Sequence, residues 1–246
     1  MNNQTMHTLP GSSQFPTTRW SLVVAAGNPR PKEARSALVS LCENYWYPLY
    51  AYLRRRGYPT DEAQDLTQEF FVRVLEGRYL DRADPEKGRF RSFILTSLKF
   101  FVADEEDRNR AHKRGGGGLV PLEFSSGEER YQREPGHDET PERIFERRWA
   151  LSLLDRVVER LRNEFVHHGR PEHFERLKVF LLGQSDAPYA ALAREMNTSE
   201  GALKAAIHRL RKRYRELFRQ EIADTVADPA DVESELRYLA AVLTSK

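Results

Sequence analysis

The stretch YAALAREMNTSEGALKAAIHRLRKRYREL, residues 189–217, decides how the chain reads. Leu203, Ile207, Leu210, Tyr214 and Leu217 recur at intervals of 4, 3, 4 and 3, which places them on one face of an α-helix. Before them, Asn197-Thr-Ser199 reads as a turn, because Asn tolerates positive φ and Thr198 or Ser199 can cap the following helix. Upstream, Tyr189 to Met196 reads as a short helix whose Ala190, Ala191, Leu192 and Ala193 allow close packing. Ser185 or Asp186 is its candidate cap, and Pro188 suits its first turn. Two helices joined by so short a turn form a helix-turn-helix. Lys204, His208, Arg211 and Arg215 share a face away from the apolar stripe, and from Lys204 to Arg219 seven cations stand against one anion, Glu216. That density suits a polyanion. In a major-groove geometry Lys204 and His208 reach base edges, while Arg209, Arg211, Lys212 and Arg215 neutralise phosphates. A helical hairpin with a solvated basic face is the alternative.

The same 3-and-4 spacing fills the other long stretches free of breakers, so the chain reads as all-α, in two small helical domains. Proline and glycine mark the division. Residues 115–141 carry Gly115 to Gly118, Gly127, Gly136, Pro121, Pro135 and Pro141, and read as a flexible Gly/Pro-rich linker. As a coil it spans about 30 Å, enough to join modules one turn of DNA apart. The expected organisation is a flexible tail over 1–19, a first domain over 20–114, the linker, a second domain over 142–222, and an extension over 223–246. The extension is acidic: six carboxylates from Glu221 to Glu235 oppose Arg237 and Lys246. Its apolar stripe Leu236, Leu239, Ala240 and Leu243 suggests a short helix, packed on the second domain or else solvated.

In the first domain Thr60 is a candidate N-cap, with Asp61 and Glu62 in the first turn where the helix dipole favours anions. The stripe Ala63, Leu66, Phe70, Val74 faces a core, which leaves Asp65, Gln68, Glu69 and Val72 on another face. A second helix over about 91–110 turns Phe93, Ile94, Ser97, Leu98, Phe101 and Val102 inward. Phe90, Phe93, Phe100 and Phe101 interleave with cations, as a platform for stacked bases does, although such rings also suit a core. In the second half, Glu142 to Leu161 and Phe174 to Leu182 read as further amphipathic helices.

Composition bounds the rest. The 246 residues are 31% charged, with a net charge of +2 and one cysteine, Cys42, which excludes an internal disulfide framework. Mean hydropathy is −0.69. Apolar runs reach only four or five residues, as at Leu22 to Ala26, against the 18 or more a membrane span needs. The first twenty residues lack an apolar core, so no secretory signal is expected and a cytoplasmic location is. His167, His168 and His173 lack the partners a metal site needs. No phosphate loop, nucleophile elbow or H-E-x-x-H string appears. Neither an enzyme, catalytic residues, a metal nor a cofactor is expected.

Two separate stretches resemble the sigma-70 superfamily, extracytoplasmic-function type, the promoter-recognition subunits of bacterial RNA polymerase. Asp61-Glu-Ala-Gln-Asp65-Leu-Thr-Gln-Glu69-Phe70 is similar to the D-x-x-D-L-x-Q-E-x-F string of region 2, and Phe90-Arg-Ser-Phe93-Ile94 through Arg114 to the part that melts and reads the −10 element. Tyr189 to Met196 followed by Ser199 to Arg215 resembles region 4, which reads the −35 element. The resemblance implies core polymerase binding by Asp61, Asp65, Gln68 and Glu69. It implies −10 contacts from Arg89, Arg91, Lys99, Phe100, Arg108, Asn109, Arg110, Lys113 and Arg114. It implies −35 contacts from Thr198, Ser199, Lys204, Ala205, His208, Arg209, Arg211, Lys212 and Arg215. The implied partners are core polymerase, through its β′ clamp helices and β flap, promoter DNA, and, as a candidate, an anti-sigma factor. The chain departs from the pattern at Phe93 (often Trp), Phe100 (often Asn) and Ala205-Ala206 (often Ser-Arg). The other reading is a stand-alone helix-turn-helix regulator that binds an operator without polymerase.

Overall fold

The computed structural model describes residues 19–25, 31–83, 89–111, 126–132, 139–181 and 189–244. The expected N-terminal tail, the capping residues Ser185 and Asp186, and most of the linker lie outside them. Among the described residues the elements are all helical: α1 (Arg19–Ala25), α2 (Lys32–Cys42), α3 (Trp46–Arg55), α4 (Thr60–Leu75), α5 (Phe90–Ala111), α6 (Ser126–Gln132), α7 (Pro141–His167), α8 (Pro171–Leu177), α9 (Tyr189–Glu195), α10 (Glu200–Ala223) and α11 (Val232–Thr244).

Local chemistry sets the ends of these helices. Gly57 adopts φ +98° after α3, where a Cβ would be strained, and lets Tyr58 N–H return to Leu53 O at 3.2 Å. Pro59, extended at ψ 159°, then starts α4; Thr60 is the first helical residue and not the expected cap. Thr140 caps α7 by accepting from Arg143 N at 3.3 Å, with Pro141 in the first turn. On α4 the buried stripe is Ala63, Thr67, Phe70 and Val74; Leu66 is only partly buried. Thr67 takes the inner position because its hydroxyl donates to Ala63 O at 2.6 Å, which satisfies a polar group without water.

Two cores form, but they do not divide at the linker. The first unites Trp20, Tyr45, Phe70, Phe90 and Phe101 with Ile144, Phe145, Trp149 and Leu153 of α7, and with Ile222, Val226, Val232 and Leu239 near the C-terminus. The second joins Val157 and Leu161 of α7 to Phe174, Phe180, Leu203, Ile207, Leu210 and Leu217. The 27-residue α7 and the 24-residue α10 therefore serve both cores. The change from one core to the other falls inside α7 and near the end of α10. The extension is neither solvated nor confined to the second domain, since α11 closes the first core. The expected continuous coil also contains α6, whose Glu128 accepts from Arg54 Nε at 3.0 Å and Arg54 Nη2 at 2.9 Å.

One carboxylate joins α10 to both halves of the chain. Glu221, 2% exposed, meets Arg156 Nε at 3.2 Å and also pairs with Arg160, both on α7. Arg156 in turn reaches Asn44 Oδ1 at 3.1 Å beyond α2.

Candidate nucleic-acid and partner interfaces

Three surfaces carry the residues singled out in the sequence. The first is the outer side of α4. Asp61 and Asp65 are exposed and Gln68 and Glu69 partly so. Glu69 pairs with Arg73, which also meets Glu105 at 2.7 Å and stacks 4.8 Å from the Phe101 ring, so Glu69 is held in place from behind. Val72 and Leu75, 44% and 37% exposed, add an apolar ridge beside the carboxylates. Leu75 is missed by sequence periodicity, which assigns no face to it. An acidic edge with exposed aliphatic side chains repels DNA and suits a protein partner.

The second surface is the start of α5. Phe90 and Phe101 are fully buried, Phe93 is half-buried, and Phe100 alone stands out at 50% exposure, so the expected four-ring platform reduces to one exposed ring. Arg82 lies 5.1 Å over that ring. Between them opens a cavity of about 310 Å³, lined by Trp20, Arg82, Arg89, Ser92, Phe93, Thr96, Ser97 and Phe100. The Trp20 indole N–H is buried and makes no hydrogen bond. Trp20, Arg82, Ser92 and Thr96 escape sequence reading, because they come from α1, the turn over 80–82 and α5, and only the fold brings them together.

The α5 cations are less free than the sequence suggests. Arg91 is 8% exposed, bonds Glu235 Oε1 at 2.5 Å, and lies 5.5 Å from the Trp149 ring and 3.8 Å from the Tyr238 ring, which places it in the first core. Arg89 bonds Ser234 Oγ at 2.8 Å and Glu235 Oε2 at 3.2 Å. Lys99 meets Glu142 at 2.8 Å, and Arg108 meets Glu105 at 2.6 Å. The side chains of Asn109 and Arg110, and all of Lys113 and Arg114, lie outside the described residues.

The third surface is on α10. Asn197 has φ 48°, and Ser199 Oγ accepts from Ala202 N at 3.2 Å, so the turn between α9 and α10 and the cap stand where the sequence places them. Leu203, Ile207, Leu210, Tyr214 and Leu217 are buried. Thr198, Lys204, Ala205, His208, Arg209, Lys212 and Arg215 are exposed. Arg211 is partly buried, and its Nε donates to Phe180 O at 2.7 Å, which ties α10 to the turn after α8. A second cavity, about 230 Å³, opens beside Arg209 and is lined also by Arg170 and His173.

Among the described residues no group of three His, Cys, Asp or Glu side chains is placed to hold a metal ion. His167 and His168 instead bond backbone carbonyls of their own helix through Nδ1, at 2.9 and 2.5 Å. No described helix is long and apolar enough to cross a membrane.

The arrangement defines a class: an all-helical protein with an acidic edge on α4, an aromatic cleft rimmed by arginine, and a capped basic helix. Residues 42–111, from the end of α2 through α5, match the family model Sigma-70 region 2, which supports a sigma-70 family member. No curated protein and no solved structure matches the chain.

Proposed function

We propose that this chain is a bacterial RNA polymerase sigma factor of the extracytoplasmic-function type, which binds core polymerase and directs promoter-specific initiation from the cytoplasm. The observation that carries the reading is the pairing of an exposed acidic edge on α4 with an arginine-rimmed aromatic cleft at the start of α5, both built mainly from the stretch similar to region 2. The two surfaces have opposite electrostatics and call for two different partners.

Asp61, Asp65, Gln68 and Glu69, with Val72 and Leu75 beside them, dock on the β′ clamp helices of the polymerase. The cleft takes an unpaired base of the −10 element: Phe100 offers a face for stacking, Arg82 tracks a phosphate, and Ser92 and Thr96 supply hydrogen bonds. The basic face of α10 reads the −35 element, with Lys204, Ala205 and His208 toward bases and Arg209, Lys212 and Arg215 toward phosphates. The second module also meets the β flap. Catalysis belongs to the polymerase; the sigma subunit contributes the binding free energy that offsets the cost of opening the duplex.

Run-off transcription with core polymerase on the chain's own upstream DNA tests this, comparing wild type with a variant carrying Asp65→Arg and Glu69→Arg. Discrete transcripts from wild type, and loss of both core binding and transcripts in the variant, are expected. A wild type that shifts an operator yet neither binds core nor initiates identifies a stand-alone regulator instead.

A further inference from the structure

Two cations, Arg89 just before α5 and Lys99 on it, are paired with carboxylates from the other half of the same chain. Arg89 meets Glu235 of α11 at 3.2 Å, and Lys99 meets Glu142, in the first turn of α7, at 2.8 Å. A carboxylate on a guanidinium or ammonium group fills the position a phosphate oxygen would take.

These pairs differ in depth, and the depth decides what each can do. Glu235 is 1% exposed and fixed by Arg91, so it stays in place. The Lys99–Glu142 pair has side chains 44% and 46% exposed. An exposed pair of this kind contributes little to stability, so a phosphate can displace the carboxylate. The buried Arg91–Glu235 contact, flanked by Tyr238 and Trp149, holds α7 and α11 against α5 and so presents Glu142 to Lys99.

We infer that Glu142 is an intramolecular competitor for nucleic acid: it holds Lys99 in a closed ion pair and lowers the affinity of the α5 edge for single-stranded DNA until a DNA phosphate displaces it. The inference rests on the proposed DNA-binding role of α5. It gives the free protein a device against non-specific binding, because one stray phosphate must first break an existing pair, whereas a strand seated in the cleft supplies that phosphate at high local concentration.

The test uses the full chain and a labelled oligodeoxythymidylate, with affinity followed between about 50 and 200 mM salt. Glu142→Gln is expected to raise affinity several-fold at the low-salt end. It should also steepen the slope of log affinity against log salt by about 0.7, the value for one more phosphate neutralised on a single strand. Adding Lys99→Gln to that variant should abolish both gains. An unchanged slope in Glu142→Gln, with only a lowered melting temperature, would make the pair structural and overturn the inference. So would a gain that persists after Lys99→Gln, since it would then reflect overall charge. Core binding and run-off transcription of the same preparations report separately on the sigma reading: a wild type that binds core while Glu142→Gln leaves the slope unchanged sinks the inference alone.

Discussion

Arg91 and Glu235, 144 residues apart in sequence, meet through Nε and Oε1 at 2.5 Å inside the first core. A buried pair of this kind is costly to break from one side, because the remaining charge has no water to receive it. Glu235→Ala should therefore lower the stability of the whole chain by about 3–5 kcal/mol. Joint replacement of Arg91 by Met and Glu235 by Leu should recover most of the loss. Urea midpoints of wild type and the two variants check both statements.

Phe100 is the one large aromatic on α5 that is half exposed, and its loss should leave folding unaffected. Phe100→Ala is expected to weaken binding of single-stranded DNA by about 1–3 kcal/mol, the usual value of one base–aromatic stack. Arg82→Gln, which removes one phosphate-tracking cation, should reduce the salt slope of that binding by about 0.7. Fluorescence anisotropy with a labelled strand distinguishes the two.

On α10 the exposed and the tethered cations should behave oppositely. Arg209→Gln and Lys212→Gln should each reduce the salt slope of duplex binding by about 0.9, as expected for one lost phosphate contact. Arg211→Gln should leave that slope unchanged and destabilise the protein by about 1.5–3 kcal/mol, since its charged hydrogen bond to Phe180 O is lost. Duplex titrations at several salt concentrations, together with melting curves, separate these outcomes.

Acid should weaken the fold with a definite sign. Hydrogen bonds from Arg54, Lys99 and Arg213 hold the carboxyls of Glu128, Glu142 and Glu164 below the usual carboxylate range. A depressed native pKa gives stability that is present above the unfolded value and lost as pH falls through the native one. Asp224 acts in the opposite sense, because burial raises its pKa, with Arg19 working against the rise, so its contribution diminishes as pH rises. Because the depressed carboxyls outnumber the raised one, urea midpoints should decline on going from about pH 5 to about pH 3.

Cys42 lies in the first core, 7% exposed, where burial pushes its thiol far above the ordinary range and Glu43 adds in the same sense. A neutral, enclosed thiol is inert. Ellman's reagent should label it at the rate of global opening and no faster, and denaturant should raise that rate in step with unfolding.

Helix identity was legible because it depends on neighbours in sequence. The α10 stripe, the Ser199 cap and the positive φ of Asn197 all follow from residues within four positions of one another, where hydrogen bonding and side-chain contact are local. The acidic face of α4 was legible for the same reason. Thr67 displaced Leu66 from the buried stripe because a hydroxyl can satisfy itself on its own helix, which a hydropathy pattern does not register.

What the cations do was not legible. Arg89, Arg91 and Arg211 look alike as letters, yet one rims a cleft, one lies among aromatic rings, and one braces a turn. A charge takes its role from what the fold places within a few ångströms of it, and here those partners come from α11, α7 and the segment after α8. The extension shows the same division. Its amphipathic pattern determined that residues 232–244 form a helix, since periodicity is a local property. Only tertiary structure decided that this helix closes the first core, because burying Val232, Glu235 and Leu239 requires a complementary surface that residues far away in the chain supply.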